Sequence, residues 1–149
     1  MRRYINIIKI CFTLLIANFV TISAFSQISN TKTVVIEVSN VIKNGGTVHI
    51  SLSLSEEAYK KRTPDKSYQV TPTDNVVRKE ITLPLGDCVI NVYQDRNENG
   101  KCDNNFFGIP KEPVGISNWN GGGVPGNFNK HKVNINDKTQ KITINLYQL

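Results

Sequence analysis

Between Thr47 and Leu54 the chain alternates strictly: Val48, Ile50, Leu52 and Leu54 are apolar, and His49, Ser51 and Ser53 between them are polar. A period of two puts all four apolar side chains on one face of an extended strand, whereas a helix would scatter them around its circumference. Looser versions of the pattern run from Thr33 to Ser39, Val76 to Leu83, Cys88 to Gln94, Lys130 to Asn136 and Lys141 to Leu146. In these segments Cys88, Ile90 and Val92 share one face, and Val133, Ile135, Ile142, Ile144 and Leu146 point inward. Ser67 to Thr71 reads as an edge strand closed by Pro72. The polar stretch from Glu56 to Lys66 has room for a short helical turn.

The joints have turn chemistry. Asn44-Gly45-Gly46 reads as a hairpin turn, Pro84-Leu85-Gly86-Asp87 joins a pair of strands expected to be central, and Asn136-Asp137-Lys138-Thr139 joins the last two. The 149 residues are 39% hydrophobic and 20% charged, which suits one globular domain and excludes a collagen, a coiled coil or a wholly disordered tail. About seven strands with no helical crossover predict an all-β fold, an antiparallel β-sandwich of immunoglobulin-like, Greek-key type. A closed barrel is the alternative. The stretch from Asp95 to Asn127 is too long without a strand to be an idle connection.

Residues 1–26 carry Arg2, Arg3 and Lys9, then an apolar run to Val20, then Ala24-Phe25-Ser26. This is the layout of a secretory signal peptide cleaved before Gln27, leaving residues 27–149 as a single domain, secreted or periplasmic, with no membrane span after cleavage. An uncleaved anchor is the alternative. No Cys follows the apolar run, which argues against a lipoprotein. Three of the eighteen Lys and Arg, and none of the twelve Asp and Glu, lie in those residues, so the net charge falls from +6 to +3 after cleavage. The remaining cations are scattered apart from Lys60-Lys61-Arg62, whereas nucleic-acid binding would want a basic stripe interleaved with aromatics.

The chemistry concentrates in Asp95-Arg96-Asn97-Glu98-Asn99-Gly100-Lys101-Cys102-Asp103. Asp95, Asn97, Asn99 and Asp103 occupy positions 1, 3, 5 and 9 with Gly100 at 6, the front of an EF-hand-type calcium loop in which Lys101 offers its backbone carbonyl. Hard oxygen donors on alternate inward-facing residues suit calcium, with a modest dissociation constant on the order of 10⁻⁴ to 10⁻³ M. Position 12 is Phe106 rather than a bidentate Glu. Glu112, held between Pro110 and Pro113, is the candidate for the missing carboxylate, provided the chain folds back; otherwise it is an exposed loop acid. Read without a cation, Asn99-Gly100 is a type I′ hairpin turn.

The run from Gly86 through Tyr93-Gln94-Asp95, Asn97, Asn99-Gly100 and Asp103-Asn104-Asn105, followed by Phe107-Gly108-Ile109-Pro110-Lys111-Glu112 and Gly115-Ile116-Ser117-Asn118, resembles the bacterial secreted family catalogued as domain of unknown function 2141. The likeness covers most of the chain after the leader. It implies the same domain and supplies no reaction. That family usually has an aromatic residue where Cys88 stands and an aliphatic one where Cys102 stands, which implies that both positions face the core.

Cys88 and Cys102 either close one bridge, worth about 3 kcal/mol for a loop of roughly 15 residues, or remain two buried thiols. A strand rising about 3.3 Å per residue carries Cys88 far from the loop, which weighs against the bridge. Trp119, in a Gly-rich ribbon, either plugs the open end of the core or stacks on a sugar. His49 and His131 lack zinc-ligand companions and read as surface residues. No nucleophile elbow, His-Glu-x-x-His or phosphate loop occurs. The expectation is a noncatalytic secreted monomer whose calcium loop orders a surface for an envelope protein or a glycan. The rival is a small secreted hydrolase using Asp95, Asp103 or Glu112 on an envelope polymer.

Overall fold

The computed structural model describes residues 30–149; the expected leader and its cleavage point lie outside them. One sheet holds β1 (Thr31–Ser39) between β4 (Val77–Pro84) and β8 (Lys141–Asn145). The other runs β3 (Lys66–Val70), β2 (Thr47–Ser53), β5 (Gly86–Asp95), β6 (Val114–Ile116), with β7 (Val133–Ile135) paired to the start of β5. The pairings are antiparallel except β1 with β8, which is parallel. The expected all-β sandwich is therefore present, with eight strands.

The alternating residues meet between the sheets. Val34, Ile36 and Val38 of β1, Ile81 and Leu83 of β4 and Ile144 of β8 belong to one buried cluster with Val48, Ile50 and Leu52 of β2 and Cys88, Ile90 and Val92 of β5. That burial decides where the connections go. β1 and β2 lie in different sheets, as do β4 and β5, so Asn44-Gly45-Gly46 and Pro84-Leu85-Gly86-Asp87 carry the chain between layers instead of closing hairpins. Pairs adjacent in sequence bury their apolar faces against each other across the core rather than side by side. β4, expected to form a central pair with β5, is an edge strand, and of the two only β5 is central.

Two shorter elements also differ from expectation. The first half of the expected strand Lys130–Asn136 belongs to a helical turn, α2 (Phe128–His131), because the Asn127 side chain caps it by accepting the Lys130 N–H at 3.2 Å. The turn expected within Glu56–Lys66 forms as α1 (Glu56–Lys61), with Ser55 as its N-cap. The two helices meet through Tyr59 and Phe128, edge to face with centroids 6.2 Å apart, and pack against β2 and β5.

The stretch expected to lack strands contains β6, which is too short for its alternation to stand out. Val114 exchanges backbone hydrogen bonds with Tyr147 at 3.0 and 2.8 Å, joining β6 to the chain beyond β8. Gly115 permits this approach, because a Cβ there would strike the Asn145 carbonyl. Gly115→Ala is expected to destabilise the fold by about 1–3 kcal/mol, as overpacking does, measured as a lower urea midpoint than that of the parent protein.

Candidate functional site

β5 alternates to its last two residues, and they set up the site. Gln94 points into the core, where its Nε2 donates to the Ile42 and Gly45 carbonyls at 2.6 and 3.0 Å and its Oε1 accepts the Ile42 N–H at 2.9 Å. Asp95 points to the opposite face, yet is only 2% exposed because the following loop folds over it. Gly46, at the head of β2, lies so close to this strand end that a Cβ would coincide with the Asp95 carbonyl oxygen.

The Asp95 carboxylate organises the loop from inside. Oδ1 accepts the Asn99 N–H at 3.2 Å and Oδ2 the Gly100 N–H at 2.7 Å. Asn97 Oδ1 also accepts the Asn99 N–H, and Asn99 Oδ1 accepts the Lys101 N–H at 2.9 Å, so alternate side chains turn inward as the spacing requires. Their amide groups then converge: Asn97 Nδ2 and Asn99 Nδ2 donate to the same Asp103 Oδ2, at 2.8 and 2.9 Å. Gly100 takes φ +77°, the left-handed turn expected of position 6.

Glu112 is brought to this loop by a fold-back. Asn104 bridges Pro110, and the Lys111 N–H donates to the Asp103 carbonyl at 2.8 Å. Asn105 tightens the tip by accepting the Phe107 and Ile109 N–H groups, and leaves Phe106 97% exposed. The Glu112 side chain is buried and spans the loop's base, with Oε1 accepting the Arg96 N–H and Oε2 the Asp103 N–H, both at 3.1 Å. A carboxylate across two backbone donors ties the loop's ends together.

The expected site residues Asp95, Asn97, Asn99, Asp103 and Glu112 therefore share one loop, with Lys101 at its exposed turn. The donor set is amide-rich: among the described residues no three His, Cys, Asp or Glu side chains group as a metal cluster. The carboxylate oxygens of Asp95 and Glu112 that accept one N–H each keep a second lone pair, whereas Asp103 Oδ2 accepts two amide N–H groups.

The neighbouring residues decide between open alternatives and correct one expectation. Cys88 and Cys102 are both free thiols, Cys88 buried and Cys102 half-buried. Burial, together with nearby Glu112, Asp103 and Asp95, pushes the Cys102 thiol up to about 11. Burial and Asp87 do the same to Cys88. Trp119 is buried against Tyr147, edge to face at 5.6 Å, and its Nε1 donates to the Gly122 carbonyl at 3.1 Å, so it plugs the core.

His131, expected at the surface, is fully buried. Its Nε2 accepts the Gly126 N–H at 2.8 Å, which leaves the ring hydrogen on Nδ1 facing the Ser117 carbonyl at 3.2 Å. Two backbone partners satisfy both ring nitrogens, and a lone His in a polar stretch gives no sign of that. His49 is partly covered as well, its ring stacked on Tyr93 at 4.5 Å and its Nε2 3.7 Å from Asp95 Oδ2. Tyr93, which the sequence reading passed over, donates its hydroxyl to the Gly100 carbonyl at 3.3 Å. His49 and Tyr93 occupy outward positions of their strands, but only the β2–β5 register sets them opposite one another.

Glu112→Gln places an amide N–H against a backbone N–H and is expected to cost about 1–3 kcal/mol in urea unfolding, while Glu98→Gln, at an exposed position of the same loop, leaves the midpoint unchanged. A thiol held near 11 is about a hundredfold less ionised at pH 8 than one at 9. Native-state alkylation of Cys88 and Cys102 is accordingly expected to run about a hundredfold or more slower than after unfolding, and denaturation without reductant to make both Cys88 and Cys102 titratable.

No curated protein and no solved structure matches the chain. Residues 36–143 match the model of a family described as an uncharacterized protein conserved in bacteria, domain of unknown function 2141. That span runs from the middle of β1 to the middle of β8 and takes in the Asp95 loop and the Glu112 clamp, and the chain belongs to this family.

Proposed function

We propose that this protein is an exported, noncatalytic binding module, monomeric and secreted or periplasmic, in which a calcium ion held by the Asp95–Asp103 loop orders a surface for an envelope protein or a glycan. The observation that carries this reading is the convergence of Asn97 and Asn99 on Asp103, beside an Asp95 carboxylate already wound into the loop. In this reading Asp95, Asn97, Asn99 and Asp103 supply side-chain oxygens, Lys101 its carbonyl, and Glu112 the carboxylate that closes the loop. Calcium would contribute charge neutralisation and cross-linking of the loop, and no redox or bond-breaking chemistry.

The hydrolase alternative needs an acid facing a space where a substrate could sit. The groove beside His49 and Tyr93 and the one beside Cys102 and Val114 have no Asp or Glu side chain in their linings. The oxygens of Asp95 and Glu112 are turned onto backbone N–H groups. Those observations favour the binding module.

Thermal unfolding of the purified protein, in chelator and then in millimolar calcium or magnesium, tests the reading. With a dissociation constant on the order of 10⁻⁴ to 10⁻³ M, about 10 mM of the ion is roughly 10 to 100 times that constant and stabilises the fold by about 1.4 to 2.7 kcal/mol, which corresponds to a rise of roughly 4 to 15 °C for a domain of this size. The expected result is a calcium-selective rise that Asp95→Ala removes. Asp95→Ala also lowers the midpoint in chelator, because the Asn99 and Gly100 N–H groups lose their acceptor. No rise in the parent protein refutes the cation site.

A further inference from the structure

The outer face of the second sheet carries a groove of about 750 Å³ that nothing above uses. Its floor comes from outward positions in three neighbouring strands: His49 and Ser51 of β2, Ser67 and Gln69 of β3, and Tyr93 of β5. One end is closed by Arg62, which caps α1, and the other reaches Gly100 of the Asp95 loop.

The chemistry of this lining is specific. The stacked His49 and Tyr93 rings form an aromatic wall. Ser51, Ser67 and Gln69 offer hydroxyl and amide groups that both donate and accept. Arg62 supplies a permanent positive charge: it is exposed, and among the described residues no hydrogen bond or ion pair holds its guanidinium. The lining contains no carboxylate. A ligand complementary to all three features is rich in hydroxyl groups, has an apolar ring face to lay against an aromatic, and carries negative charge at the Arg62 end.

We propose that this groove binds an acidic glycan, a segment containing uronate units, with a uronate carboxylate on Arg62 and a sugar ring against the His49–Tyr93 wall. The assignment deepens the binding-module reading and rests on it in one respect: the groove ends at the cation loop. The Tyr93 hydroxyl on the Gly100 carbonyl and the His49 contact with Asp95 join the two. An ordered loop therefore gives the groove a fixed end and the aromatic wall a fixed position.

Calorimetric titration of the purified protein in excess calcium tests it, with hexasaccharides of hyaluronan and of mannuronate as probes, their carboxyl-reduced counterparts as neutral controls, and hexaglutamate as an acidic peptide. The expected result is saturable binding of at least one uronate hexasaccharide. Arg62→Gln and carboxyl reduction should each weaken it about tenfold or more. Arg62 is exposed, so its variant keeps the parent thermal midpoint. Binding of neither uronate probe overturns the proposal, as does equal binding of the reduced sugars or of hexaglutamate, or binding indifferent to Arg62→Gln. The calcium-induced rise in midpoint, read on the same samples, separates the two failures: a rise without glycan binding refutes the groove assignment and leaves the cation loop standing, and no rise refutes the loop.

Discussion

The structure depends on the hydrogen bonding of β5 along both edges. β2 pairs one edge from Val89 to Asp95, while β7 and β6 take the start and the end of the other. A strand flanked in this way has its alternation locked, because a slip of one residue would exchange its core face for its outer face. Gln94 must then enter the core and Asp95 must leave it. The buried Gln94 amide is affordable only because the Ile42–Gly45 backbone satisfies it, and that same contact ties the β1–β2 crossover to the site.

From Asp95 onward, side chains take over the work of backbone pairing. The loop has no ladder of its own, so its N–H groups are met by Asp95, Asn97, Asn99 and Glu112. Every acidic or amide residue that suits a cation also has a structural task in winding the loop. This double use explains why the segment is so rich in Asp and Asn. It also means that any ligand of the wound loop stabilises the winding. The Tyr93 hydroxyl on Gly100 extends that linkage to the outer face of the sheet.

Much of this was legible in the residues. The period-two runs placed most of the strands, since a buried face repeats every second residue whatever its partner. The Asp95, Asn97, Asn99, Gly100, Asp103 spacing marked the loop, because an inward-turning arrangement of oxygens is written locally. Position 12 is Phe106, which stands 97% exposed, and the fold-back that delivers Glu112 was open as one of two readings. Trp119 as a plug was likewise one of two readings, decided by its contact with Tyr147.

What the amino-acid sequence determined by itself is local: the all-β class, the faces of the strands and the polar loop, each set by side-chain alternation or short-range turn chemistry. What only the tertiary structure decided is every relation across the chain. It turned the joints between β1 and β2, β4 and β5, and β7 and β8 into crossings between sheets, because neighbouring apolar faces bury each other across the core. It set β8 parallel to β1, made an interior residue of His131, and left Cys88 and Cys102 unbridged. It also brought His49, Arg62, Gln69 and Tyr93 around one groove. These outcomes depend on strand order and register, which arise from packing many weak contacts at once and leave no mark at any single position.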